Sequence, residues 1–266
     1  MQYEAQIRLG FFFGTFGLMF IWEAITPYRQ LVIPKPLRWF NNLILVMLNT
    51  FLVRAILPLS AAAIATFAKE RGWGLLNLFS LSPWQTVPLI IISIIYLDLV
   101  IYWQHNLFHR IPMLWRLHRV HHADRDFDIT TGLRFHPLEI LLSMMIKFVA
   151  ILVMGVPAIA VVIFEILLNA TAIFNHGNVS LPHQVDRLLR LFVVTPNMHR
   201  IHHSIITQET NSNFGFNLPW WDHLFKTYRA HSVANPQQMA IGLAEYQQTL
   251  QVTKLPWLLT MPFQSR

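Results

Sequence analysis

Four apolar stretches, at residues 9–27, 39–68, 86–104 and 138–168, constrain this chain more than any other feature. Lipid offers no partner to a bare peptide group, so each stretch must satisfy its own backbone, as a helix does. At 1.5 Å per residue, each of the first three is long enough to cross hydrocarbon about 30 Å thick. The fold class expected is all-α, an integral membrane helical bundle over residues 1–266. Hydrophobic residues make up 54% of the chain and charged residues 12%, against about 25% charged in an ordinary soluble domain. A disordered chain is excluded. The first run lacks a basic leader and a small-residue cleavage site, so it reads as a retained helix.

The fourth stretch has 31 residues and would be roughly 45 Å long as one straight helix. Gly155-Val156-Pro157 interrupts its middle, and Glu139, Lys147 and Glu165 lie toward its ends. A re-entrant hairpin that returns to its starting side is expected instead of one crossing. Arg29, Lys35 and Arg38 fill the gap between the first two runs, and Arg110, Arg116, Arg119, Arg125 and Arg134 follow the third. The positive-inside rule then puts the 28–38 loop and everything after Trp103 in the cytoplasm, with the N-terminus outside. The formal charge of +7 is read in this way, and no nucleic-acid partner is expected. Residues 186–196 read as a short interfacial amphipathic helix.

The chain has 13 histidines and no cysteine. Thiolate zinc sites, iron–sulfur clusters and cysteine nucleophiles are therefore excluded. Eight histidines fall in three motifs: His105-Asn-Leu-Phe-His109, His118-Arg-Val-His121-His122 and His199-Arg-Ile-His202-His203. On a helix, residues three and four apart share a side, so each motif gathers its imidazoles. A lone histidine on an apolar helix is usually a satisfied interfacial residue, but this repetition argues for a shared metal site. Imidazole suits iron, zinc, copper or nickel, and eight rings exceed what one ion can use. Two ions are the economical reading. A zinc peptidase of the HExxH kind does not fit, because Asn106 stands where its glutamate belongs.

These boxes, set among apolar helices, resemble the fatty acid hydroxylase / sterol desaturase superfamily of membrane non-haem di-iron oxygenases. The likeness extends to Asp98-Leu-Val-Ile-Tyr102-Trp103-Gln-His105, Arg134-Phe-His136-Pro137, Asn175-His176-Gly177-Asn178, Thr195-Pro196, Asn213-Phe-Gly215 and Trp221-Asp222-His223-Leu-Phe225-Lys-Thr227-Tyr228. It covers about residues 95–230, taken as the histidine-rich catalytic region and a cytoplasmic helical cap. His223 departs from the arginine common at that position and is not carried over, nor is His183. The resemblance implies that His105, His109, His118, His121, His122, His199, His202 and His203 ligate iron, with His176 a ninth. His136 is either a ligand-shell residue or a helix start ahead of Pro137. Asp98 lies two helical turns before His105 and so shares its face. It is expected either to accept the second N–H of a ligating imidazole or to pair with Arg54. Asn178 is read as a similar support or as a turn cap. Trp103, Trp115, Trp220 and Trp221 read as interfacial anchors.

The resemblance further implies two iron ions and O2 as co-substrate, with hydroxylation or desaturation of an unactivated C–H bond of a bilayer lipid as the outcome. Two external electrons are then needed, and the chain has neither cysteines nor a GxGxxG fingerprint to carry a redox cofactor. A separate electron donor, a small cytochrome or ferredoxin type, is expected to dock near Arg116, Arg119, Arg125 and Arg200. The alternatives left open are a membrane zinc hydrolase and a non-catalytic metal-binding protein. The last residues, PFQSR, carry no retrieval signal, and a bacterial inner membrane is expected over an endoplasmic reticulum.

Overall fold

A computed structural model describes residues 3–79 and 83–264. Part of the 69–84 loop and the last two residues therefore lie outside it. The chain is helical, and one isolated bridge, Ser204 with Ile241, is the only β pairing among the described residues. In chain order the helices are α1 (Glu4–Ile25), α2 (Lys35–Ile56), α3 (Ala61–Glu70), α4 (Thr86–Arg110), α5 (Pro112–His122), α6 (Pro137–Met154) and α7 (Ala158–Asn175). The shorter α8 (His183–Leu189), α9 (Pro196–His202), α10 (Thr207–Thr210), α11 (Trp220–Leu224) and α12 (Leu255–Thr260) follow. Five segments are long and apolar enough to cross a membrane: α1, α2 with its continuation, α4, α6 and α7. Large side chains such as Phe11, Phe13, Leu18, Phe40, Met47 and Phe51 point outward from α1 and α2, as expected for helices that meet lipid.

The second apolar run is not one helix. It breaks at residues 57–60, because Pro58 supplies no backbone N–H and Ser60 starts the next helix by accepting from Ala63 N at 3.1 Å. Asn49 and Arg54, two of the polar residues within the run, do not interrupt α2. The fourth run does reverse where Gly155 closes α6, at φ +75°. Its backbone abuts Gly74, at φ +97°, so tightly that a Cβ on Gly74 would come within 2.2 Å of Gly155 N. Both positions therefore require glycine. The start of α6, through Glu139 on His118, and the end of α7, against Gly132, both lie at the histidine end.

Helices α3 and α4 each pack on both α6 and α7, and α1 lies along α7. Leu97, Ile101, Ile151, Val161 and Phe164 form the core between them. Charges buried in this apolar region are paired, as lipid requires. Glu165 binds Lys147 at 2.8 Å and also Arg8. At the histidine end, Leu45, Val120, Val252, Leu258 and Met261 form a second core, through which the C-terminal segment clamps α2 to α5. The amphipathic helix expected at 186–196 is shorter and earlier. It ends at Leu189, and Leu188, Leu191 and Phe192 are exposed along it and the following turn.

Candidate metal centre

Nine histidines converge where α4, α5, α7 and α9 meet. The ligand atoms of His105, His109, His118, His122 and His202 lie within 4.8 Å of one another, and so do those of His121, His176, His199 and His203. Helical periodicity explains the division. Pairs four residues apart, 105/109, 118/122 and 199/203, stay together, while the residue three along, His121 or His202, turns toward the other group. Each HxxHH motif therefore serves both groups. The two share a wall, where His122 and His203 stack with centroids 4.5 Å apart.

Several rings are aimed by an outward hydrogen bond on Nδ1. His105 bonds the Phe214 carbonyl at 2.8 Å, His176 that of Ala172 at 2.8 Å and His202 that of Ser212 at 2.7 Å. His118 bonds Glu139 Oε1 at 2.6 Å. Such partners fix the tautomer and leave Nε2 inward as a lone-pair donor. The inward Nε2 atoms of His105, His118 and His202, and both ring nitrogens of His109, His122 and His203, are buried with no hydrogen-bond partner. Buried polar atoms left in this way are costly unless a ligand completes them. Burial also pushes the imidazoles of His121, His122, His199 and His203 far below their ordinary range, His176 to about 4 and His202 to about 3. The rings are thus neutral and ready to ligate at physiological pH. An all-imidazole donor set, buried and convergent, fits two first-row transition metal ions.

Of the expected supporting residues, His136 takes its helix-start role, and Asp98 and Asn178 do something else. Asp98 touches no imidazole and does not pair with Arg54, which is exposed. It accepts from Asn217 N at 3.3 Å, Leu218 N at 3.2 Å and Trp221 Nε1 at 2.9 Å. It thereby holds the segment whose Phe214 carbonyl aims His105. Face-sharing along α4 was the correct geometry, but the acceptor came from a loop more than 100 residues away. His136 joins neither group. Its Nδ1 accepts from Leu138 N at 3.2 Å and its Nε2 lies 3.2 Å from the Leu259 carbonyl, so it is a helix cap with both nitrogens engaged. Asn178 fastens the 28–29 segment through Arg29 N at 3.2 Å and Arg29 O at 2.8 Å. Trp115 is no surface anchor, since it packs on His109 with centroids 4.9 Å apart, and Trp221 is held by Asp98.

The expected docking patch does not form. Arg200 is buried, donating to Val179 O at 3.0 Å and lying over the Tyr28 ring, and Arg119 is buried against the Met261 carbonyl. Both were spent on internal carbonyls of the cap. Arg116 alone of the four is fully exposed.

Sequence reasoning missed the braces around the centre. Arg38 forms a two-pronged bond to Asp124 at 2.8 and 2.7 Å and reaches Asp128 at 2.6 Å, all fully buried. Burial alone would raise the Asp124 carboxyl, but Arg38 and Arg134 hold it down to about 2. Asp222 caps Phe214 N at 2.8 Å and Gly215 N at 2.7 Å, and burial pushes it up to about 6. Asn213 sits at φ +54°, a region that asparagine tolerates, with its side chain bonded to Met198 O and Arg229. Glu139 carried a readable signal: an acid inside an apolar run, three residues after His136.

Beside the histidines lies a mainly apolar cavity of about 460 Å³, bounded by Phe12, Phe13, Phe108, Leu133, Leu168 and Phe216, and reaching His105, His118, His121 and His199. Spanning helices, a lipid-sized cavity and an imidazole centre at its end define a class: a helical membrane protein with a candidate metal centre that meets an apolar ligand. Comparison with known proteins narrows it. The profile of the family described as "Fatty acid hydroxylase" matches residues 90–227, about half of the chain, and the chain belongs to that family. Ornithine lipid hydroxylase OlsE of Rhizobium tropici is 26% identical over 87% of this chain and 69% of its own length. Alkylglycerol monooxygenase of Homo sapiens is 26% identical over 60% of this chain and 35% of its own length, and that of Xenopus tropicalis 25% over 55% and 32%. The chain thus spans about a third of the length of the monooxygenases. No solved structure matches it. The chain is an oxidoreductase, an integral membrane oxygenase of the kind that hydroxylates lipid C–H bonds.

Proposed function

We propose that this chain uses O2 and two iron ions to insert one oxygen atom into a C–H bond of a bilayer lipid. The observation that carries this reading is the pair of convergent imidazole groups beside the apolar cavity, whose inward nitrogens face either no partner or one another. His105, His109, His118, His122 and His202 hold one ion, and His121, His176, His199 and His203 the other. When bound, the ions would activate O2, which supplies the oxidising power that an unactivated C–H bond demands and that acid–base side chains lack. The rest is the work of the protein. Phe12, Phe13, Leu168 and Phe216 take up the lipid tail and exclude water, which keeps the reacting carbon positioned and unwanted reactions out. Glu139 and the carbonyls of Phe214, Ser212 and Ala172 keep the proton on Nδ1 of their partner rings.

Hydroxylation is favoured over desaturation because both kinds of relative are named for oxygen insertion. An external carrier, a small cytochrome or ferredoxin, delivers the electrons. The basic residues of the 28–38 segment and of α5 favour a cytoplasmic location for the centre, and the bacterial relative favours an inner membrane.

The test is incubation of the reconstituted, iron-loaded protein with native lipids, a reductant and ¹⁸O2. One ¹⁸O per product lipid and two irons per chain are expected, with product lost in His202→Ala. Label-free product, or turnover with zinc alone, overturns the proposal.

A further inference from the structure

Three side-chain oxygens around the cavity are buried without any hydrogen-bond donor: Asn49 Oδ1 on α2, Gln104 Oε1 on α4 and Glu139 Oε2 on α6. Each group is held by its other end. Asn49 Nδ2 donates to the Phe135 carbonyl at 2.8 Å, which sets the amide so that its oxygen is the free atom. Gln104 Nε2 donates to Ser143 Oγ, and Glu139 Oε1 is engaged by His118. The leftover atoms come from three different helices yet are of one kind, since all accept and none donates. Each is tied to the histidines: Glu139 touches His118, Gln104 precedes His105 on α4, and Asn49 holds Phe135, whose ring stacks on His121. A plain hydrocarbon tail would leave them unsatisfied, and an ether or ester oxygen would oppose them, whereas a hydroxyl or amide N–H completes them.

We infer that the substrate is a lipid carrying a hydrogen-bond donor, a hydroxyl or an amide N–H, which Asn49, Gln104 and Glu139 receive beside the carbon to be oxidised. The inference rests on the lipid-oxygenase reading and names the substrate class for the same site. Asn49 and Gln104 are then specificity determinants that touch substrate but not metal.

The test compares matched lipid analogues of equal chain length on the full, metal-loaded protein in detergent: a secondary alcohol against its methyl ether, and an amide against the corresponding ester. The donor-bearing member of each pair is expected to bind about tenfold tighter, and Asn49→Leu and Gln104→Leu each to bring that ratio toward one. Two variants are used because Asn49 also holds Phe135, and a folding defect in one leaves the other to decide. A wild-type ratio of one or below, or a ratio that neither variant changes, overturns the inference. Tighter binding of the donor-bearing analogues with no oxidation of any would refute the oxygenase reading while upholding the donor-accepting cavity.

Discussion

Glu139 Oε1 lies 2.6 Å from Nδ1 of His118, and this is the one contact between a carboxylate and a ring of the two histidine groups among the described residues. It links the start of α6 to α5 and sets which His118 nitrogen faces the centre. Glu139→Ala is expected to weaken metal affinity 10- to 100-fold, measured by competition with a chelator. Glu139→Gln, whose carbonyl can still accept from Nδ1–H, should recover most of that loss. Equal affinity in all three proteins would show that the contact orients nothing.

The division of the histidines predicts which ion each ring holds. His122→Ala and His203→Ala remove stacked neighbours that belong to different groups. Each variant should retain about one iron per chain, and the two remaining irons should give different Mössbauer spectra. Loss of both irons from either variant would mean that the groups act as one unit.

Gly132 touches the end of α7. A Cβ there would come 2.6 Å from Ala172 O and 2.9 Å from His176 Nδ1, so no small adjustment of a flexible side chain relieves it. Gly132→Ala should displace His176, lower the iron content of the four-histidine group and reduce turnover at least tenfold. Full iron content by elemental analysis would contradict this placement.

The Arg38, Asp124 and Asp128 network is fully buried. Arg38→Met removes the guanidinium that both carboxylates share and should cost about 3 kcal/mol of stability, seen as a lower Tm in detergent. The pH dependence follows from Asp124, whose folded carboxyl is held at about 2 against an ordinary 3.8. A depressed carboxylate contributes stability that is complete above its unfolded pKa and is lost as pH falls through the folded value. The wild type should therefore lose about 2 kcal/mol between pH 4 and pH 2 that Asp124→Asn does not lose. Parallel Tm curves for the two proteins in that window would exclude the assignment.

The amino-acid sequence by itself determined the helical membrane fold and singled out the nine histidines that the structure brings together, because apolar length and helical spacing act along the chain and need no partner. It did not show the break at Pro58, which lies in the middle of a long apolar run. It misplaced Asp98 and Asn178, left His136 open between a ligand-shell role and the helix start it takes, and put Arg119 and Arg200 on a surface. Only the tertiary structure decided these, as it decided the split of each HxxHH motif between two groups and the roles of Arg38, Glu139 and Asp222. The physical reason is common to all of them. A buried polar group is defined by the partner that satisfies it, and here those partners are backbone carbonyls, amides and carboxylates brought from segments tens to more than a hundred residues away.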